Sequence, residues 1–203
     1  MTSSPQLRLE ALYERLRASD AGRLYSRRSP ILGEGDPEAD LVIVGEAPGE
    51  REDLRPRVFI GPSGDLLDSI LRRLRVPRDS VFITNLIKKR PPRNRNPEES
   101  EIELSLPFLL EELSIVRPRV VLALGAIPGN ALAYPTFGRI SALRATRGLR
   151  VRSSPHDLDV PLVVTYHPAY ILRTLRENPD NLKVMALDIR RAVEMSRGVA
   201  QTL

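Results

Sequence analysis

Four short apolar runs, each followed by a segment with helical spacing of apolar residues, constrain the fold of this chain more than any other feature. The runs are Leu41 to Val44, Val81 to Thr84, Val120 to Leu124 and Leu162 to Thr165. Strands that are apolar on both faces and separated by helices are typical of a parallel sheet covered by helices on each side. We therefore predict an α/β protein, a single-domain three-layer αβα sandwich over residues 1–203 with a central four-stranded parallel sheet.

Helical patterns at both ends of the chain and after the third run complete this prediction. The segment after the third run is rich in alanine and leucine and should end near Tyr134. The apolar stripe of the first helix is Leu9, Leu12 and Leu16, and that of the last helix is Leu182, Met185, Ile189 and Val193.

The composition excludes several kinds of site. The chain has no cysteine, which rules out disulfides, thiolate zinc sites and cysteine-held iron–sulfur clusters. His156 and His167 are the two histidines, so we predict no transition-metal site. The net charge of +5 suits a polyanionic partner. Eighteen prolines and the lack of cysteine are typical of a thermophile's protein.

The hydropathy of the chain predicts no membrane contact. The longest apolar runs, such as Val120 to Leu124, are far shorter than the roughly 20 residues of a membrane-spanning helix. The N-terminus also lacks the apolar core of a secretory signal. We expect a cytoplasmic protein.

Polar residues follow three of the four predicted strands. Glu46 comes after Gly45, Asn85 follows the second run, and His167 follows the fourth. Ligands of open parallel sheets bind beyond the carboxyl ends of the strands, so a carboxylate, a carboxamide and an imidazole should converge on one small polar ligand. Each residue also has a structural interpretation, as a turn cap, a loop anchor or a hydrogen-bonded core histidine. The turn at 61–64 lacks the lysine of a P-loop, which argues against a nucleoside triphosphate.

Four segments together resemble the uracil-DNA glycosylases of the thermophile and bacterial type called family 4. They are GEGDPEADLVIVGEAPGERED, FIGPSGDLLDSIL, VFITNLIKKRPPRNRNP and TYHPAYILR, within a match from Leu9 to Arg190. The resemblance implies a DNA repair hydrolase that flips uracil out of DNA and cleaves its glycosidic bond. No lysine nucleophile is evident at the site, so we expect an abasic product without strand cleavage.

The resemblance also implies roles for the strand-end residues. Asn85 would distinguish uracil from cytosine, and His167 would stabilise negative charge on the departing base. Glu46 would orient water or stabilise the sugar cation, although a sister family carries its water-activating acid at the position of Ala47. Phe59 would stack on the base, Gly45 would let the backbone approach it, and Ala47 would also belong to the base-binding pocket.

Contacts with DNA are expected on both sides of this site. The residues after His167 supply candidates for an apolar wedge in the gap left by the flipped base, with Ile171 favoured. The basic run after Asn85 suits phosphates, although such a run is also typical of a solvated face. The candidates are Lys88, Lys89, Arg90, Arg93, Arg95, Tyr170, Ile171, Leu172 and Arg173.

The chain departs from this family where four cysteines typically hold a [4Fe–4S] cluster. The corresponding positions carry Ser19, Gly22, Lys89 and Ser105, so we expect no cluster and no other cofactor. Pro56, Val58 and Arg93 also differ from the usual residues near the base pocket.

Two other functions remain open from the sequence. One is a glycosylase for another deaminated base such as hypoxanthine, and the other is a non-catalytic damaged-DNA-binding protein. The second would not need Glu46, Asn85 and His167 together. We expect a monomer acting on uracil-containing DNA. The sequence does not identify a sliding clamp or another repair protein as a partner.

Overall fold

A computed structural model describes residues 3–25, 28–133 and 149–198. Within these residues the chain forms one mixed sheet of six strands in the order β1-β3-β2-β4-β6-β5. The strands are β1 (Glu34–Gly35), β2 (Leu41–Gly45), β3 (Phe82–Asn85), β4 (Val120–Leu124), β5 (Arg150–Ser153) and β6 (Leu158–Thr165).

The sheet is larger than the sequence predicted. The four predicted strands are present as β3, β2, β4 and β6, and neighbouring strands among them are parallel. Two antiparallel strands extend this set, β1 next to β3 and β5 next to β6. Both lack an apolar run: β1 has two residues, and β5 alternates arginine with small or apolar residues, as suits an edge strand. The prediction of a four-stranded parallel sheet was therefore incomplete.

Helices cover both faces of this sheet. They are α1 (Pro5–Ala18), α2 (Asp20–Arg23), α3 (Glu50–Leu54), α4 (Pro62–Arg73), α5 (Glu99–Val116), α6 (Ala126–Leu132), α7 (Pro168–Thr174) and α8 (Asp180–Ser196). Single-turn 3-10 helices lie at Arg78–Ser80, Pro92–Asn94 and Ser154–His156. Helix α6 ends at Leu132, and Tyr134 lies outside the described residues.

Two hydrophobic cores follow from the alternation of side chains along the strands. Val42 of β2 belongs to a core with α1, α5 and α6, whereas its neighbour Ile43 belongs to a core with α4, α7 and α8. Both side chains are completely buried. Because the four central strands are parallel, their carboxyl ends lie at one edge of the sheet.

None of the helices in the described ranges is long and apolar enough to cross a membrane.

Candidate active site

A cavity of about 550 Å³ lies at the carboxyl ends of β2, β3 and β6. Adjacent parallel strands place Gly45 opposite Asn85, and β6 leads into His167 at the start of α7. The predicted site residues in its wall are Glu46, Ala47, Phe59, Asn85, Arg95, His167 and Arg173. The structure thus brings together the three polar residues that follow the predicted strands.

Gly45 gives the base of this cavity its shape. A Cβ atom at this position would lie 2.5 Å from Cζ of Phe59 and closer still to Oδ1 of Asn85. Real Cβ atoms essentially never approach other heavy atoms so closely. Strand β2 therefore ends in glycine because an aromatic ring and a carboxamide occupy the space that a side chain would need.

Asn85 presents a buried oxygen atom without a partner. The residue is 2% exposed, and its Oδ1 accepts no hydrogen bond from the residues that the structure describes. The adjacent backbone is fixed, since Leu86 N–H donates to Gly45 O (2.9 Å) and Ile87 N–H donates to Glu46 O (2.9 Å). An unsatisfied buried acceptor costs about 1–3 kcal/mol, which a ligand carrying an N–H group would recover.

Phe59 forms an aromatic wall with an unusual backbone conformation. Its φ of 51° lies in the left-handed region, which is strained for a bulky residue, and its side chain is buried. The buried carboxylate of Glu52 accepts hydrogen bonds from the next two amides, Ile60 N–H (3.0 Å) and Gly61 N–H (2.9 Å). These bonds hold the strained turn and the start of α4 in place.

The hydrogen bonds of His167 define its tautomer. Its Nδ1 accepts from Ala169 N–H (3.1 Å), so the ring proton is on Nε2. Burial, with a smaller effect of the nearby Arg173 cation, lowers the pKa of His167 to about 4. The ring is therefore a neutral N–H donor at pH 7. Its centroid lies 6.4 Å from that of Phe59.

Glu46 is a partly buried carboxyl group at the same edge. Burial raises its pKa above the ordinary value, and Arg173 opposes this shift. A carboxylate kept out of bulk water is a better proton acceptor than an exposed one. The cavity thus combines an acceptor for protons, a neutral imidazole donor, a carboxamide and an aromatic face.

Comparison with known proteins identifies the family. A model described as the uracil DNA glycosylase superfamily matches residues 32–190. The chain is 40% identical to the type-4 uracil-DNA glycosylase of Pyrobaculum aerophilum, over 81% of this chain and 85% of that protein. The type-4 uracil-DNA glycosylase of Thermotoga maritima is 35% identical over 91% of this chain and 92% of its own length. That of Sulfurisphaera tokodaii is 34% identical over 93% and 84%.

This chain belongs to the uracil DNA glycosylase superfamily. The resemblance to family 4 expected from the sequence is confirmed.

Three residues predicted to touch DNA in this glycosylase are buried instead. Lys88 is 2% exposed and pairs with Glu112 (2.6 Å), and Lys89 donates to the carbonyl oxygen of Arg28. Ile171, the favoured wedge, is 1% exposed because it faces the core of α4 and α8. These three predictions were wrong, since a buried side chain cannot reach a phosphate or a base gap.

The remaining DNA candidates lie on the surface or at the rim of the cavity. Arg90 donates to Asn94 Oδ1 (2.8 Å) and lies 3.6 Å from the Glu50 carboxylate. The exposed candidates are Arg93, Tyr170, Leu172 and Arg173.

Sequence reasoning missed two buried carboxylates that support the residues around the cavity. Glu52 is buried, and nothing in its spacing after Gly49 marks it as such. Glu112 did carry a signal, because it lies on the same helical stripe as Leu109, Leu113 and Val116. An acid on an apolar stripe indicates a buried ion pair.

The residues at the four expected cluster positions do not fit an iron–sulfur cluster. The chain has no cysteine, and no group of three or more His, Cys, Asp or Glu among the described residues could hold a metal. A Cβ atom at Gly22 would overlap Leu16 O. Lys89 places a cationic group in the corner of the molecule that Ser19, Gly22, Lys89 and Ser105 define. Ser105 is buried. The ammonium group of Lys89 and the missing side chain of Gly22 cannot replace the thiolate ligands of a cluster.

Protein contacts occupy this corner instead. Ser19 Oγ accepts from Gly22 N–H (3.2 Å) and caps α2. Arg95 donates to both carboxylate oxygens of Glu101 (2.9 and 2.6 Å), and its guanidinium lies 5.4 Å from the ring centre of Tyr25. A bidentate ion pair next to an aromatic ring fixes the local geometry of this corner.

Proposed function

We propose that this protein is a monofunctional uracil-DNA glycosylase that hydrolyses the N-glycosidic bond of uracil in DNA and leaves an abasic site. Family membership and type-4 relatives at 34% and 40% identity support an enzyme of DNA repair. The observation that carries the choice of base is the buried, unpaired Oδ1 of Asn85 at the floor of the cavity.

Asn85 would read the base through complementary hydrogen bonds. Uracil offers N3–H as a donor and O4 as an acceptor, which match the carboxamide oxygen and nitrogen of Asn85. Cytosine reverses both groups, so it would leave the buried carboxamide unpaired, at a cost of about 1–3 kcal/mol per group. Phe59 would stack on the flipped ring and supply affinity without selectivity.

His167 and Glu46 would share the chemical step. When the bond between C1′ and N1 breaks, its electron pair goes to uracil, and Nε2–H of His167 would donate to O2 of that anion. A water oxygen forms the new bond to C1′, and Glu46 would orient this water or stabilise the sugar cation; the proton that the water loses goes to the Glu46 carboxylate or to the uracil anion. The neutral His167 tautomer and the raised pKa of Glu46 support these roles.

The exposed residues around the cavity would hold the DNA. Arg93 and Arg173 suit phosphate contacts, because both are exposed cations; Arg173 lines the cavity, and Arg93 precedes Asn94, which also lines it. With Ile171 buried, Leu172 becomes the proposed wedge; this residue is 44% exposed, and Tyr170 on the same helix is 37% exposed.

We further propose that residues 1–203 act as one domain and as a monomer, inside the cell where the substrate is. The corner of Tyr25, Arg95 and Glu101 supports a form of the enzyme that works without the family's cluster.

The test uses an end-labelled oligonucleotide with one uracil, as a single strand and opposite guanine or adenine. Wild type, Asn85→Ala and the isosteric Asn85→Asp are compared under single-turnover conditions, and abasic sites are revealed by hot alkali. We expect wild type to give alkali-dependent cleavage at uracil, and either variant to be slower by about 100- to 1,000-fold, the typical cost of losing one transition-state hydrogen bond. Asn85→Asp keeps the shape but removes the amide donor to O4.

Each arm of this experiment has a decisive outcome. Cleavage without alkali would contradict the monofunctional assignment. Release of hypoxanthine but not uracil would move the function to another deaminated base. DNA binding without release of either base, also at elevated temperature, would identify a damage-binding protein.

A further inference from the structure

A buried ionic network lies directly behind the base-reading residue. Glu112 is completely buried and Lys88 is 2% exposed, and their charged groups are 2.6 Å apart. The same carboxylate accepts from Thr84 Oγ1 (2.9 Å) and Tyr13 Oη (2.5 Å), and Lys88 Nζ also donates to Thr84 Oγ1. Thus α1, α5 and β3 meet at one carboxylate.

This network holds both sides of Asn85 along the chain. Thr84 immediately precedes Asn85, and Lys88 follows three residues later. Lys88 O accepts from Ile31 N–H (2.7 Å), which ties the same turn to the segment before β1. On the opposite side, the amides of 86 and 87 bind the end of β2. The carboxamide is therefore carried by a turn with fixed points on each flank.

Stability alone does not explain a buried ion pair at this place. Taking both charges out of water costs several kcal/mol per ion, and replacing such a pair with uncharged side chains is often neutral for stability. The turn, however, must hold an amide whose oxygen has no protein partner among the described residues. Because no protein group holds that oxygen, the orientation of the carboxamide depends on the backbone that carries it.

We propose that Lys88 and Glu112 are positioning residues for base recognition, because they fix the turn that carries Asn85 and so maintain the orientation that distinguishes uracil. This inference rests on the proposed function and adds two residues that do not touch the base. Neither side chain lines the cavity.

The test removes the charges but keeps the volume and most hydrogen bonds. In Lys88→Met/Glu112→Gln, the glutamine can still accept from Tyr13 and donate to Thr84. Lys89→Met is the matched control, since Lys89 is an equally buried lysine whose ammonium binds the carbonyl of Arg28 instead. Single-turnover release, affinity for uracil-containing DNA and melting temperature are measured for each variant, in the wild-type and in the Asn85→Ala background.

Positioning through Asn85 predicts a specific pattern. The double variant Lys88→Met/Glu112→Gln, called the charge-free variant below, should release uracil about 10- to 100-fold more slowly, a loss typical of a slightly misplaced reacting or recognition group. Its affinity for DNA should change little. In the Asn85→Ala background the same change should cause no further loss. Lys89→Met should leave the release rate unchanged in both backgrounds.

Three results would overturn the inference. They are wild-type rates in the charge-free variant, equal losses in both backgrounds, and the same loss in Lys89→Met. If the charge-free variant does not fold, Tyr13→Phe replaces it, because it removes one hydrogen bond to Glu112 and leaves the ion pair intact. A smaller loss that disappears with Asn85→Ala is then expected. Failure of wild type to release uracil would instead reject the proposed function.

Discussion

The base cavity and the buried network behind it differ in the hydrogen bonding of their polar groups. In the cavity, Asn85 Oδ1 has no partner among the described residues and the Glu46 carboxyl is partly desolvated. In the network, both oxygens of Glu112 and the hydroxyl groups of Thr84 and Tyr13 are hydrogen-bonded. Both lie on or next to β3. Between these two regions, the unpaired oxygen lies where a ligand can complete it, and the hydrogen-bonded groups hold the turn behind it.

This comparison separates activity from stability. A change in the cavity should reduce the rate of uracil release more than the free energy of unfolding, because the cavity is completed only by substrate. We call the hydrogen-bonded contacts that support the fold outside the cavity the frame. A change in the frame away from β3 should lower the free energy of unfolding more than the rate of uracil release. The following predictions test each side of that contrast.

The largest expected effect is on the cavity side, at Gly45. In Gly45→Ala, the new methyl group would overlap the ring of Phe59 and the carboxamide of Asn85, so both must move. We expect single-turnover uracil release to fall by at least about 100-fold, since small displacements of reacting groups have effects of this size. Circular dichroism and thermal melting should show a folded protein.

Gly61→Ala provides the control for this change. Its φ of −92° is open to any residue, and the added methyl group would meet flexible side chains, the Glu52 carboxylate at 3.2 Å and Arg51 Cδ at 3.8 Å. A near-wild-type rate in Gly45→Ala would show that the cavity floor adapts to the methyl group. It would contradict the inference that uracil release requires Phe59 and Asn85 in their present positions.

The second prediction concerns the pH dependence of release. Glu46 has a pKa raised above 4.5 by burial, and His167 has a pKa lowered to about 4. As the pH falls, Glu46 is therefore protonated while His167 is still neutral. The rate should drop about tenfold per pH unit below the pKa of Glu46, if its carboxylate form is required. Glu46→Gln should be slow and nearly independent of pH over that interval.

His167 should also make the free energy of unfolding fall as the pH is lowered over this interval. Its pKa is about 4 in the folded state and 6.5 in the reference state, so the unfolded chain binds more protons between these values. The contribution of His167 is complete above pH 6.5 and is lost as the pH falls toward 4. His167→Gln should flatten this slope in urea unfolding. An unchanged slope would mean that the imidazole is not held neutral.

Much of this architecture was predictable because the strands are apolar on both faces. That pattern identified the four central strands and placed Glu46, Asn85 and His167 at one edge, and the cavity contains all three. The edge strands β1 and β5 were missed because neither has an apolar run. Short polar strands are defined by pairing with a neighbour, which a local pattern does not record.

The errors at the site have a related cause. Lys88 and Lys89 were interpreted with the arginines that follow them as one exposed charge run, yet both are buried. The burial of Lys88 depends on Glu112, 24 residues away, and no local pattern links them. Ile171 lies on a helix of seven residues, too short for its apolar stripe to indicate which side faces the core.

The smallest effect is expected on the frame side, in the corner where the family holds its cluster. The ion pair with Arg95 lowers the pKa of Glu101 to about 2, so its stabilisation is complete above about 4.5 and is lost as the pH falls toward 2. Glu101→Gln should lower the free energy of unfolding at pH 7 by about 1 kcal/mol or less, because Arg95 is 37% exposed and solvent screens the pair.

The control is Glu98→Gln, which changes a more exposed partner of the same arginine and should lower the free energy of unfolding by a smaller amount. Both variants should release uracil at the wild-type rate. A tenfold slower Glu101→Gln with unchanged stability would show that this corner acts on the cavity, and the division between the two regions would not hold.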